Sequence, residues 1–205
     1  MNYNTVATQE VINATIAALK TKNVEAVVVK NKAEALEKIK ELIPQGVSVM
    51  NGASTTLQEI GFVDYLKSGS HGWNNLHASI MAETDPAKQA MLRKQAVLSD
   101  YYLGSVHALA STGEFVIASN SGSQLPHIVF TSPNLIFVVS TKKIVPTLAD
   151  AFARLEEYVL PLEDARARAA YGVGTSINKI VIFKNENPRM GRTVRMILVQ
   201  EELGF

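Results

Sequence analysis

Most of the residues able to hold or transform a small polar ligand are gathered between Leu103 and Pro146, in LGSVHALASTGEFVIASNSGSQLPHIVFTSPNLIFVVSTKKIVP. In the turn Thr112-Gly113-Glu114 the glycine permits a tight or left-handed backbone, which sets the Glu114 carboxylate at the head of an apolar run. Glu114 is therefore a candidate to face a cleft, although a solvated glutamate at a strand edge has the same local sequence. The loop SNSGSQLPH follows that run. Gly122 there allows a ligand close to backbone N–H groups, and Asn120 with the neighbouring serines offers neutral hydrogen bonds. Beyond the apolar run Leu135 to Val139, Lys142 and Lys143 emerge at a strand end, where open α/β sheets bind ligands, so one of the two is a candidate anion partner, although a solvated pair has the same sequence.

A second cluster lies upstream, in NGASTTLQEIGF. Asn51, Gly52, Ser54, Thr55 and Thr56 form a small-residue loop running into a helix, with capping-box spacing at Thr56/Glu59 and Thr55/Gln58. Its amides and three hydroxyls suit a carboxylate or phosphate, and they equally suit an ordinary helix cap. No P-loop lysine and no G-x-G-x-x-G series accompanies them. His71 and His77 stand six apart, which does not share a helical face, so no metal site is expected. His107 has no partner in sequence that would mark a nucleophile–base pair, while His127 suits either a cleft or the core.

Elements to position these groups are readable from periodicity. Thr8 caps a helix over about 8–20, with Val11, Ile12, Ile16 and Leu19 on one face. Strands are expected at Ala26 to Val29, Val47 to Met50, Tyr101 to Leu103, Phe115 to Ala118 and Leu135 to Val139, with SVHALASTGEF as a compact turn. Helices are expected from Asn31 to Pro44, from Asp85 to Ser99, over Leu125 to Phe130, from Thr147 to a stop at Pro161, and from Leu162 to Tyr171. Lys179 to Phe183 and Val194 to Gln200 read as an antiparallel hairpin. The alternation predicts one α/β domain over residues 1–205: a three-layer, Rossmann-like, mostly parallel sheet with helices on both faces and that C-terminal hairpin.

Composition narrows the function. Twenty basic against nineteen acidic side chains leave a net charge of +1 with no run of either sign, which gives no footprint for nucleic acid. Zero cysteines exclude disulfides, a thiolate zinc site and cysteine-held iron–sulfur clusters. The sequence carries no cofactor motif. No apolar run reaches the ~18 residues that span a bilayer, and the first residues lack signal-peptide character, so a soluble cytoplasmic protein is expected. The C-terminal strand could pair across a homo-oligomer or within one chain.

The blocks LSDYYLGSVHALASTGEFV, HIVF, LIFVVSTKKIVPTLADAFARL and RMILVQEELGF, together with NGASTTLQEIGF, resemble the lactate-utilisation (LUD) domain family over most of residues 45–205. The resemblance implies a fold like that of the CoA-transferase and ribose-5-phosphate isomerase group. It implies a non-redox accessory or ligand-binding part in oxidation of lactate to pyruvate, beside iron–sulfur and FAD-containing partners, with a small organic anion as ligand. The alternative that it implies is a CoA-transferase-like or sugar-phosphate-isomerase-like enzyme using Glu114. The implied pocket consists of Asn51, Gly52, Ser54, Thr55 and Thr56, then Thr112, Gly113 and Glu114, the loop at Asn120 and Gly122, and Lys143. Relatives often carry a glycine, asparagine and arginine group after the strand that follows the TG turn. Here SGSQLPH has no arginine to clamp a carboxylate bidentately.

Overall fold

The computed structural model describes residues 2–205. Its frame is a six-stranded sheet in which every pairing is parallel. The strands are β1 (Val24–Val29), β2 (Ser48–Asn51), β3 (Asn74–Asn75), β4 (Tyr101–Gly104), β7 (Asn134–Ser140) and β10 (Thr193–Val199), in the spatial order β1-β10-β7-β4-β2-β3. A second, four-stranded sheet has the order β8-β5-β6-β9, formed by β5 (Ala108–Ala110), β6 (Phe115–Ser119), β8 (Ile144–Val145) and β9 (Lys179–Phe183).

Side-chain alternation along the strands builds the layers. On one face of the large sheet, Leu103, Ile136, Val138 and Ile197 pack against α2 (Lys32–Leu42), α3 (Thr55–Glu59) and α4 (Phe62–Ser68) through Ala35, Ile39, Leu57 and Phe62. On the other, Leu135, Phe137, Val139 and Leu198 meet Ile12 and Leu19 of α1 (Gln9–Thr21) and Leu109, Phe115 and Ile117 of the second sheet. The outer face of that sheet, through Ala108, Val116 and Ala118, is covered by α7 (Leu148–Arg154) and its continuation. The remaining helices, α5 (Leu76–Ala82) and α6 (Pro86–Gln95), lead from β3 into β4. The mostly parallel α/β frame agrees with the sequence reading, and the second sheet adds a layer to the three expected.

Local caps act where the sequence places them. Thr8 accepts the Val11 N–H, Asn31 accepts the Glu34 N–H, and Asp85 accepts the Ala87 and Lys88 N–H groups ahead of Pro86.

Three expectations are corrected. β9 and β10 do not form a hairpin: β9 pairs with β6, and β10 lies between β1 and β7, parallel to both. The reason is visible in RMILV, which is apolar toward both faces and therefore suits the middle of a parallel sheet, not a half-solvated hairpin. Second, Pro161 does not end a helix. A π-turn at Leu155–Val159 widens the ladder ahead of it, and the helix continues as α8 (Leu160–Tyr171). Third, SVHALASTGEF is not only a turn, because Ala108–Ala110 is a buried strand of the second sheet.

Phe137 is fully buried where the two sheets meet, with its ring edge-on to Phe115 at 5.4 Å. Phe137→Ala is expected to destabilise the protein by about 3–5 kcal/mol, read as a lower urea midpoint at unchanged slope.

Candidate functional site

The carboxyl ends of β2, β4 and β7 open into a cleft of about 810 Å³. Its floor and one wall come from the large sheet, and the opposite wall from the loop after β6 and from α8. Position follows from the parallel sheet, since all the strands point their carboxyl ends the same way and leave their following loops at one edge.

Lys143 lies at the floor, in the single 3-10 turn that follows β7, with 2 % of its surface exposed. Its ammonium donates to Thr56 Oγ1 at 3.0 Å, to Ser105 Oγ at 3.1 Å and to the Val106 carbonyl at 3.3 Å. Burial, with the nearby charges of Arg154 and Lys142, pushes its pKa down to about 7, against the opposing pull of Glu59. Thr56 is held in α3 beneath the Ser54 cap, whose Oγ accepts the Leu57 N–H, and Glu59 accepts the Gly204 N–H. At Gly204, φ is +59° and a Cβ would stand 2.3 Å from Thr56 Oγ1 and 3.2 Å from Lys143 Nζ, so only glycine lets the chain pass over this pair.

Arg154 stands behind the floor, completely buried. One guanidinium nitrogen donates to the His107 carbonyl, while Nε and Nη2 have no partner among the described residues. The cation lies over the rings of Tyr158 and Tyr3, at 5.1 and 5.9 Å from their centroids. Lys142 is also buried and donates to Asn4 Oδ1 at 2.9 Å. Among the described residues none of these three cations has a carboxylate within ion-pair distance. Buried unpaired charge of this kind is costly, and burial lowers the pKa of all three groups.

His107 adds a donor of known direction. The Ala118 N–H donates to Nδ1 at 3.1 Å, so that nitrogen carries no proton and the neutral ring bears its hydrogen on Nε2. Burial and the charges of Lys143 and Arg154 lower its pKa to about 3. His127, in a π-turn at His127–Thr131, stacks on the Tyr102 ring at 4.6 Å and holds Ser132 Oγ at 2.9 Å and Ser99 Oγ at 3.2 Å through Nδ1. Arg192 donates to the His127, Ile128 and Ser132 carbonyls and so fixes that turn. Burial lowers the His127 pKa to about 4.

The structure brings some of the sequence candidates together and separates others. Asn51, Gly52, Ser54, Thr55, Thr56, Asn120 and Lys143 all line the cleft. Gly52 is required by Tyr102, whose hydroxyl would stand 2.3 Å from a Cβ there. Gly122 does not line the cleft; it packs on the Lys179 side chain in the adjoining turn.

Thr112, Gly113 and Glu114 lie elsewhere. The Glu114 carboxylate pairs with Lys22 at 2.8 Å and accepts from Thr112 Oγ1 at 2.5 Å, and neither it nor its two neighbours reaches the cleft wall. Gly113 is glycine because the end of α1 presses on it, with the Ala18 backbone 3.1 Å from where a Cβ would be. The turn docks a helix. Tyr102, Arg154 and Arg192 were not singled out by sequence reasoning, since each matters through burial among distant residues. The only sequence signal for Tyr102 was its place at the end of the strand before GSVH.

The two histidines set an acid limit on stability. Their folded pKa values of about 3 and about 4 lie below the ordinary 6.5, so between those values the unfolded chain binds more protons than the folded one. Stability therefore falls as pH drops from 6.5 toward 4, by up to about 1.4 kcal/mol per pH unit for each ring. His107→Gln, whose amide oxygen can still accept the Ala118 N–H, is expected to flatten the pH dependence of urea-unfolding free energy in that window. An unchanged slope would mean that His107 takes up its proton in the folded protein.

Comparison with known proteins agrees with this fold. The family model of the LUD domain matches residues 12–186. Among solved structures, the crystal structure of a DUF162 family protein from Deinococcus radiodurans at 1.70 Å superposes with a TM-score of 0.57 at 12% identity, covering 95% of this chain and 98% of that one. No curated protein matches. At that identity the likeness speaks for fold alone, whereas the family model covers most of the chain: this protein belongs to the LUD domain family.

Proposed function

We propose that the protein is a non-redox, ligand-binding component of lactate utilisation that takes a small organic carboxylate against Lys143. The observation that carries this reading is a buried lysine, without a carboxylate partner among the described residues, at the floor of a cleft lined by hydroxyls and by His107. A carboxylate placed there supplies the missing negative charge and accepts from groups already oriented. The Asn51–Thr56 loop and Asn120 add polar groups for a 2-hydroxyl or 2-oxo oxygen. With no cysteine in the chain, electrons taken from a hydroxy acid pass to iron–sulfur and FAD-containing partners. The cleft is larger than a three-carbon acid, so it also has room for a longer body behind the carboxylate.

Titration calorimetry with L-lactate, pyruvate and longer 2-hydroxy acids tests the reading. Lys143→Ala is expected to weaken binding by roughly tenfold or more, the loss of one charge-assisted hydrogen bond. Glu114→Gln is expected to leave the affinity unchanged, because its carboxylate is turned to Lys22. Equal affinities for the Lys143→Ala variant and the parent would exclude Lys143 as the anion partner.

A further inference from the structure

The geometry points to a second capacity of the same lysine: Lys143 forms an imine with the carbonyl carbon of a 2-oxo carboxylate bound in the cleft. This rests on the carboxylate-binding reading above and extends it from ion pairing to covalent chemistry.

Four observations carry it. Lys143 is buried yet is one of the residues that line the cleft, so a ligand held there lies beside it while bulk water is largely excluded. Among the described residues no carboxylate fixes it as an ammonium; Lys142 and Arg154, both buried and without an ion-pair partner there, crowd it with positive charge instead, and neighbouring cations are a recognised way to free a lysine lone pair. Two of its three partners are hydroxyls, Thr56 Oγ1 and Ser105 Oγ, and either can reverse from acceptor to donor when the ammonium loses a proton. His107, directly after the Ser105-Val106 pair that holds Nζ, lines the same cleft and carries its ring hydrogen on Nε2, a donor of the kind a bound carbonyl oxygen accepts from. The lowered pKa, about 7, agrees with a sizeable share of free amine at neutral pH.

The step balances without any further reagent. The neutral Nζ attacks C2 of the 2-oxo acid, and an N–H proton passes by way of a neighbouring hydroxyl to the former carbonyl oxygen, giving the carbinolamine. Loss of one water leaves the C=N bond. Protonation then restores the positive charge beside the ligand carboxylate. A 2-hydroxy acid has no carbonyl and can only form the ion pair, so the site distinguishes the two oxidation states of one carbon skeleton by covalency.

The test is trapping. Protein incubated with pyruvate and reduced with sodium borohydride is expected to gain the mass of one pyruvic acid less one oxygen atom. Peptide mapping is expected to place the adduct on Lys143, with occupancy several-fold above exposed lysines such as Lys30 and Lys67. Lys143→Arg should lose the adduct and Lys142→Arg should keep it, both with a parental circular dichroism spectrum. If Lys143→Arg does not fold, the wild-type peptide map decides alone. Label spread over exposed lysines without excess at Lys143 overturns the proposal. Calorimetry with L-lactate separates the two readings: lactate binding without a Lys143 adduct removes the imine and leaves carboxylate binding, whereas absence of both removes both.

Discussion

Positive charge taken out of water without a carboxylate to meet it is the constraint around which this protein is arranged. Lys142, Lys143 and Arg154 are all buried, and what holds them is neutral: hydroxyls, carbonyls, an asparagine oxygen and two tyrosine rings. In the interior such an arrangement is tolerated only where many oriented dipoles converge. Elements from both ends of the chain are recruited to provide them. Asn4 and Tyr3 come from before α1, Thr56 from α3, Ser105 and Val106 from the end of β4, and Tyr158 from the π-turn. His107 stays neutral first because it is buried and then because a further charge beside Lys143 and Arg154 would be repelled.

The large sheet makes that convergence possible. A parallel sheet gathers its strand ends at one edge, so residues far apart in sequence arrive together without any local motif. The second sheet and the α7–α8 helix then close the opposite side and turn an open edge into a cleft. Two π-turns fall on this boundary, one carrying His127 and one preceding Pro161. Each inserts a residue into a helix where the wall must bend.

The frame was largely legible in the sequence because its strands are short apolar runs and its helices carry caps, and both signals are local. β5 was missed because a three-residue run, Ala108-Leu109-Ala110, between a histidine and a turn is too short to show a periodicity. The hairpin expectation failed because partner choice is not written in a strand, although the two-sided apolarity of RMILV did mark it as central. At the site, the strand-end rule pointed to the Lys142–Lys143 pair and the helix-start pattern to the Asn51–Thr56 loop, while the family resemblance chose Lys143. Glu114 drew notice through a glycine turn whose glycine answers to helix packing at Ala18. Arg154 looked like one more polar residue on an amphipathic helix, and only tertiary burial gives it meaning.

The position of β10 reaches beyond the native state. Between β1 and β7, it pairs residues 170 positions apart, as Arg195 and Glu25 show. Until β10 inserts, β1 has no partner in the large sheet, and β1 and β7 each leave an open apolar edge. Closing so long a loop makes folding slow, and the open edges make the waiting chain a substrate for strand exchange and for chaperones. The cleft inherits the same timing, because Gly204 and its contact with Thr56 arrive only behind β10. A half-assembled chain therefore has no completed charge pocket, and ligand binding reports on a finished sheet.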